Sequence, residues 1–549
     1  MIPLSLSEAE APTVITRAPD LDYGLLSPLL VVFVVGVVGV LVEAFVPMRH
    51  RRLTQLVLAL LGIGAAFVLT VLQVGMLPAD GAGLTLAFAT VVVDRPALFF
   101  QGVILVLALA SLLLIAENRD GESAFTAQAA AVPGSEEERA HILAGTQHTE
   151  VYPLVMFAVL GMQLFTAAND FLTMFIALEV MSLPLYLLCG LARRRRLFSQ
   201  EAALKYFLLG AFSSAFFLFG IAMVYGYAGS VNFAAVNRAG STGGLIDGGE
   251  PLLLIGIAMI GVGLLFKVGT VPFHNWKPDV YQGAPTPITA LMASGTLVAA
   301  FGALLRVFYV AFGASVEQWR PMLWVVAILT MVLAAVIAVT QRDIKRLLAY
   351  SSVVHAGFIL TAVVAASADG LAGAMFYLAA YGFTTVGAFA IVTLVRNAEG
   401  SAEAGDLTQW AGLGRTSPFL AASLGLFLLA FAGIPLTSGF IGKFAVFQAA
   451  VAAGATPLVV VGVLSSAVTA FFYVRIIVLM FFAEPAENAP RVLKPGILTG
   501  TTVGLGVAAT LLLGILPGPV LEHVIPQPAA ETSEAVAAEH TAADSLFAR

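Results

Sequence analysis

The chain reads as an all-α integral membrane protein with about 14 spanning helices. Three observations carry that reading. Of its 549 residues, 59% are hydrophobic and only 11% are charged, far below the roughly 25% of charged residues in soluble domains. The mean hydropathy is +0.95. The apolar residues also fall in runs of about 20, the length a helix needs to cross the hydrocarbon core of a bilayer.

The runs lie near 25–47, 53–77, 95–116, 151–168, 171–191, 199–228, 251–271, 288–311, 321–341, 346–367, 371–395, 418–448, 455–482 and 496–517. They divide the chain into a tail (1–24), spans 1–3 (25–116), a polar insertion (117–150), spans 4–8 (151–311), spans 9–13 (321–482), span 14 (496–517) and a second tail (518–549). The insertion carries SEEER among alanines, and the last segment is rich in Ala and Glu. Both are expected to be solvated and outside the chemistry.

Positive residues stay on the cytoplasmic side of short loops. The loops after odd-numbered spans hold Arg49, Arg51, Arg52, Arg119, Arg139, Arg193 to Arg196, Lys277, Arg342, Lys345, Arg346, Arg396, Arg415, Arg491 and Lys494. The opposite loops and tails hold only Arg17, Arg95, Arg238, Arg320 and Arg549. Both termini are therefore expected outside, with the insertion in the cytoplasm.

Composition also excludes some functions. The net charge of −6 comes from acidic residues in tails and one loop, which gives no basic face for nucleic acid. The single cysteine, Cys189, lies inside an apolar run, so the chain offers neither a CxxC motif nor a set of thiolates for an iron–sulfur cluster. Any electron transfer must then happen on another chain. The first residues, MIPLSLSEAEAPTVITRAPDLDYG, lack the basic start and short apolar core of a cleaved signal peptide.

The ionisable residues inside the spans carry the functional argument. Glu179 sits in FLTMFIALEVMSLPLYLL, Lys205 in EAALKYFLLGAFSSAFFLFG, Lys267 in LLFKVGTVPFHNWKPDVYQGAPTP and Lys443 in AGIPLTSGFIGKFAVF. A charge at the bilayer centre costs about 2.5 to 3.5 kcal/mol on insertion scales, so such residues mark ion or proton pathways. Desolvation disfavours a charged amine, whereas a nearby carboxylate favours it. A glutamate that changes its distance to a lysine can therefore load or unload a proton. Glu179 and Lys205 lie on adjacent antiparallel spans, where contact is open to them, as a switching pair or as a structural ion pair.

Around Lys267 the run breaks up at Gly269, Pro272, Pro278, Gly283, Pro285 and Pro287. Irregular backbone at membrane depth is tolerated only inside protein or along a wet cavity. Gly433, Pro435 and Gly439 interrupt the run that holds Lys443 in the same manner, five spans later and hence in the opposite orientation. Broken helices at corresponding places of inverted repeats are a transporter signature. Two histidines, His274 in VPFHNW and His355 in LLAYSSVVHAGFIL, add groups that titrate near neutral pH and suit a relay. A packing role is equally open to His274, while Ser351 and Ser352 give His355 a polar stripe. Arg306 and Arg475 read as residues that snorkel or pair, and Glu43 and Asp94 as interfacial.

These blocks resemble a known family. FKVGTVPFHNWKPDVYQGAPTPITALMAS is similar to the region between the seventh and eighth spans in the subunit-N family of bacterial complex I, the proton-pumping NADH:quinone oxidoreductase. LEVMSLPLYLL, EAALKYFLLGAFSSAFFLFG, QRDIKRLLAYSSVVHAGFI and AGIPLTSGFIGKF follow in the same order, over about 95–480. PDVYQGAP separates this family from subunits L and M and from cation/proton antiporters, which resemble PDAMEGPTPVSAL there.

The resemblance implies a 14-helix antiporter-like subunit of the bacterial plasma membrane with two inverted five-helix repeats, spans 4–8 and 9–13. It implies no cofactor on this chain, with NADH, flavin, iron–sulfur clusters and a quinone on other subunits. The implied partners are the antiporter-like subunit M and the small subunits A, J and K. Glu179 and Lys205 would be the coupling pair, Lys267 the central lysine where protons enter, Lys443 its counterpart at the exit, and His274 and His355 relay or gating groups.

One departure stands out. The family places a further lysine in the eighth span, in patterns like ATATKVA, where this chain reads ASGTLVA with Leu297. Either water held by Thr296 and Ser294 bridges the gap, or His355 takes over, or transfer through this chain is impaired; the expectation is the water bridge at Thr296, because a hydroxyl bonds water both as donor and as acceptor. A cation/proton antiporter or membrane-bound hydrogenase subunit, and a non-pumping scaffold subunit, are the competing expectations.

Overall fold

The computed structural model describes residues 21–78, 83–118, 124–125, 148–192, 196–397, 402–485 and 490–524. Most of the N-terminal tail, the 117–150 insertion, Arg193 to Arg195 and the far C-terminal segment lie outside the described residues.

The described chain is almost wholly helical, and its long helices are α1 (Tyr23–Phe45), α2 (Met48–Val74), α3 (Arg95–Ala116), α4 (Val151–Ala167), α5 (Phe171–Cys189), α6 (Arg196–Ala228), α7 (Phe233–Thr242), α8 (Glu250–Val268), α9 (Trp276–Gly283), α10 (Thr286–Ala311), α11 (Val316–Val339), α12 (Ile344–Ala365), α13 (Ala368–Val392), α14 (Pro418–Ala432), α15 (Ser438–Ala452), α16 (Thr456–Phe482), α17 (Ile497–Ile515) and α18 (Gly518–Val524). Twelve of the described helices are long and apolar enough to cross a membrane. α4, α14 and α15 are shorter apolar helices; with α4 as one crossing and α14 with α15 as another, the passes would number the 14 expected from the sequence. The molecule is a multi-pass helical membrane protein.

Carboxylates set several helix starts. Asp94 accepts from the Ala97 amide, Asp170 from Leu172 and Thr173, and Asp343 from Lys345 and Arg346, satisfying amides that a helix start leaves free. Burial then sorts the helices into layers. The best apolar window is wholly buried in α10 and 94% buried in α12 and α13, against 33% in α1, α2, α16 and α17. The polar chemistry is thus threaded through the middle of the bundle, and the outer helices shield it.

Three details depart from the sequence expectation. A hairpin of β1 (Leu84–Leu86) and β2 (Val91–Val93) precedes α3, pairing Leu84 with Val93. The segment after span 14 is not wholly irregular, since α18 occupies its start. Lys277 and Lys345, read as cytoplasmic loop charges, are instead 1% and 4% exposed. The helix break folds Lys277 inward, and a carboxylate from the 402–410 loop covers Lys345, with Glu403 Oε2 at 2.8 Å.

Candidate functional site: a line of buried amines through two broken helices

The first break begins where α8 ends. Gly269 adopts φ 77°, and the amides of Gly269 and Thr270 both return to the Leu265 carbonyl, closing the helix in a Schellman-like turn. The second break copies this device. Gly433 adopts φ 83°, and the Gly433 and Ile434 amides return to the Leu429 carbonyl.

Lys267 lies in the last turn before the first break and is 4% exposed. Its Nζ donates to Ser182 Oγ at 2.7 Å and to Tyr206 Oη at 3.1 Å. Tyr206 stacks on Trp276 with centroids 4.8 Å apart, and the Trp276 indole donates to the Phe266 carbonyl at 3.0 Å. The opened helix end is thereby sealed beside the amine.

Lys443 lies after the second break, on α15. Its Nζ donates to the Phe431 and Ala432 carbonyls, both at 2.9 Å, and to Ser466 Oγ at 2.8 Å. The amine caps the C-terminal carbonyls of α14, where a cation also meets the negative end of the helix dipole.

His355 of α12 is 1% exposed and packs against Phe358, the ring over which Lys443 Nζ lies. Its Nδ1 pairs with Tyr377 Oη at 2.7 Å and its Nε2 with Tyr473 Oη at 3.2 Å. Tyr473 continues to Ser351 through a short hydroxyl–hydroxyl bond. The imidazole is thus held at both nitrogens by groups that can donate or accept, which is what a relay requires.

Glu179 and Lys205, for which the sequence leaves contact open, do not pair with each other. Glu179 Oε1 accepts from Ser214 Oγ at 2.5 Å. Lys205 Nζ instead meets Glu201 and Asp279, each at 2.6 Å. The reason is competition: Glu201 lies one turn away on α6, and the break brings Asp279 of α9 to the same amine. Arg346 of α12 binds the other Asp279 oxygen at 2.6 Å, so Asp279 ties α6, α9 and α12 together. Glu179 still lies within electrostatic reach of Lys267.

His274 is 7% exposed and packs edge-on to Tyr350 with centroids 6.0 Å apart. Its Nδ1 is buried without a hydrogen-bond partner, and it joins neither lysine. Thr296 is buried, but its hydroxyl donates to the Met292 carbonyl at 2.5 Å, and Ser294 donates to Ala290 at 2.6 Å. Residues 292–296 form a π-helical turn immediately before Leu297, and both hydroxyls turn back onto the preceding turn of their own helix. The two-way water bridge expected at Thr296 therefore lacks its donor half. Arg306 pairs with both oxygens of Asp94, at 2.8 and 2.9 Å. Burial opposes a charge on Asp94, but this guanidinium holds its carboxyl below the usual carboxylate range.

Sequence reasoning missed Asp279, Tyr206, Tyr377, Tyr473 and Ser466. Asp279 was visible as the lone acid within the broken stretch. The tyrosines carried no signal, because within an apolar run an aromatic residue reads as packing.

Buried amines at two helices broken within the bundle, with a buried histidine held by hydroxyls near one of them, define a class: helical membrane proteins that move protons or small cations. Residues 168–469 match the family described as "NADH:quinone oxidoreductase/Mrp antiporter, TM". The chain is 91% identical over 549 residues to NADH-quinone oxidoreductase subunit N of Thermobifida fusca, covering 100% of both chains. It is 59% identical to the subunit of that name from Rhodococcus opacus, over 92% of this chain and 95% of the relative. A chain of respiratory complex I from Thermus thermophilus with bound aureothin superposes with TM-score 0.72 at 32% identity, covering 91% and 99% of the two chains. A chain of the Mrp complex from Dietzia sp. shares the fold at TM-score 0.76 and 22% identity, covering 91% of this chain and 96% of that one. The chain belongs to the NADH:quinone oxidoreductase/Mrp antiporter transmembrane family.

Proposed function

We propose that the chain is a proton-translocating membrane-arm subunit of an NADH:quinone oxidoreductase. The observation that carries this is the pair of buried lysines, each against a glycine-broken helix, with His355 held by hydroxyls close to Lys443. Full-length likeness to subunits of that name supports the assignment to the oxidoreductase rather than to an antiporter or hydrogenase. Redox cofactors and the quinone then belong to other subunits, and the flanking partners are subunit M and the small subunits A, J and K. Spans 4–8 and 9–13 act as inverted repeats in the plasma membrane with both termini outside.

Proton movement follows from charge coupling. Two unit charges about 4 Å apart interact by about 4 kcal/mol at an effective dielectric near 20, enough to decide whether a buried amine holds its proton. The contacts redistribute the roles. Lys205 is held by Glu201 and Asp279, so a shift of that cluster reaches α12 through Asp279 and Arg346, and Lys267 through Tyr206, the neighbour of Lys205 on α6. Glu179 tunes Lys267 from a distance, and Lys267 and Lys443 exchange the proton through His355.

Leu297 favours a second reading, that of a scaffold which seals its neighbours and does not pump. Inside-out vesicles carrying the assembled complex with Lys267→Ala separate the two. Pumping predicts that NADH oxidation continues while protons taken up per NADH fall below wild type by the share this chain contributes. An unchanged ratio would establish the scaffold.

A further inference from the structure

Lys277 is a buried amine to which neither sequence nor family assigns a role. It is 1% exposed, at the start of α9, and meets no carboxylate among the described residues. Its Nζ donates to Ser352 Oγ at 3.1 Å. Tyr281 and Tyr381 lie in the neighbourhood of the same Ser352, and the Tyr381 ring lies 4.9 Å from that of His355. Ser352 and His355 are one turn apart on α12, on the same face.

The breaks themselves reinforce the point. A Cβ placed on Gly433 would meet Lys443 Cδ at 2.8 Å, and one placed on Gly269 would meet Lys277 Cε at 2.4 Å. At each αL glycine a lysine from the following segment folds back over the break. By this geometry the counterpart of Lys443 is Lys277, while Lys267 precedes its break. An unpaired ammonium sealed in apolar surroundings is costly, yet this one is aimed at the polar line leading to His355.

We infer that Lys277 is the proton carrier that joins the two halves, in place of the lysine missing at Leu297. The proton leaves the Lys267 ammonium, crosses the break by way of water, and forms an N–H bond on the neutral Lys277 amine. It then departs through the Ser352 hydroxyl toward Tyr381 and His355, which returns Lys277 to the amine. The inference rests on the pumping role proposed above.

The test uses inside-out vesicles with the assembled complex, reading NADH oxidation and proton uptake together. Lys277→Gln keeps a hydrogen bond to Ser352 but cannot carry the proton, and should lose the same fraction of protons per NADH as Lys267→Ala measured alongside. Lys277→His, and Lys277→Gln combined with Leu297→Lys, should each recover at least half of that loss. If Lys267→Ala lowers the ratio and Lys277→Gln leaves it at the wild-type value, Lys277 is not the carrier and the pumping role stands. Equal loss in Lys277→Gln and Lys277→His, without recovery by Leu297→Lys, assigns Lys277 a structural role and overturns the inference. If Lys267→Ala itself leaves the ratio intact, the pumping role falls first.

Discussion

A single loop carboxylate shows how charge inside this molecule is held in place. Glu403 sits over Lys345 at the start of α12, with 2.8 Å between Oε2 and Nζ. Burial alone would raise its pKa, but the charges of Lys345 and Arg396 outweigh that and bring it down to about 2. An unfolded glutamate titrates near 4.3. Because the folded value is the lower one, the stabilisation is complete above about 4.3 and fades as the pH falls toward about 2. It is worth on the order of 2 kcal/mol, allowing for the part of the side chain that stays wet. Glu403→Gln should therefore lower the thermal midpoint of the detergent-purified protein at pH 7, with the gap to wild type closing below about pH 4. Trp410 reports on the same loop, since its indole donates to the Ala404 carbonyl at 3.1 Å. A gap of constant size down to pH 3 would trace the loss to packing instead. Lys345 also marks a limit of reading residues singly. In sequence it resembles the basic residues of its loop, and only the fold covers it with Glu403. Lys267, Lys443 and His355 were legible because a charge or imidazole inside an apolar run has few structural uses. The partner of Lys205 was not, since Asp279 approaches it only once the helix has broken.

At the level of elements, the two breaks are the devices that place the amines. Each depends on one glycine in the left-handed region, Gly269 at φ 77° and Gly433 at φ 83°. An alanine there costs about 1–2 kcal/mol in backbone strain, and its methyl would press on Lys277 at 2.4 Å or on Lys443 at 2.8 Å. Gly269→Ala and Gly433→Ala are thus expected to lower proton uptake per NADH in assembled complex more than they lower NADH oxidation, with Gly269→Ala the more severe. Gly64→Ala on α2, where nothing lies within 4 Å of the added methyl, is the control that should change neither. Equal behaviour of all three would mean that the break geometry does not set pumping. The breaks were readable from clustered Gly and Pro, which stand out against helical apolar runs. The π-turn at 292–296 was not, because it comes from how α10 packs at the fully buried centre and not from any residue that forbids an α-helix.

The whole molecule must also sit one way round in the membrane, and its charges decide which. Lys277 and Lys345 are buried and leave the count of loop charges. The excess survives without them: Arg49, Arg51, Arg52, Arg342, Arg415, Arg491 and Lys494 still flank one side, against Arg95, Arg238 and Arg320 on the other. The positive-inside rule predicts the α1–α2 turn on the cytoplasmic side and the end of α7 on the outer side. His50 and Ser241 are both exposed and report on these two surfaces. Cys189 is buried against Met292, with its sulfur 3.4 Å from Sδ, so Cys189→Ala removes the native thiol without touching either surface. On that background, Ser241→Cys should react with a membrane-impermeant maleimide in intact cells, whereas His50→Cys should react only in inside-out vesicles. The reverse pattern would invert the direction assigned to every proton step, placing Lys267 on the release side and Lys443 on the uptake side. The contacts along the line would be unchanged by that inversion, because a chain of amines, hydroxyls and one imidazole conducts either way. Direction comes from which end the neighbouring subunits charge first, and so from the orientation that the two cysteines report.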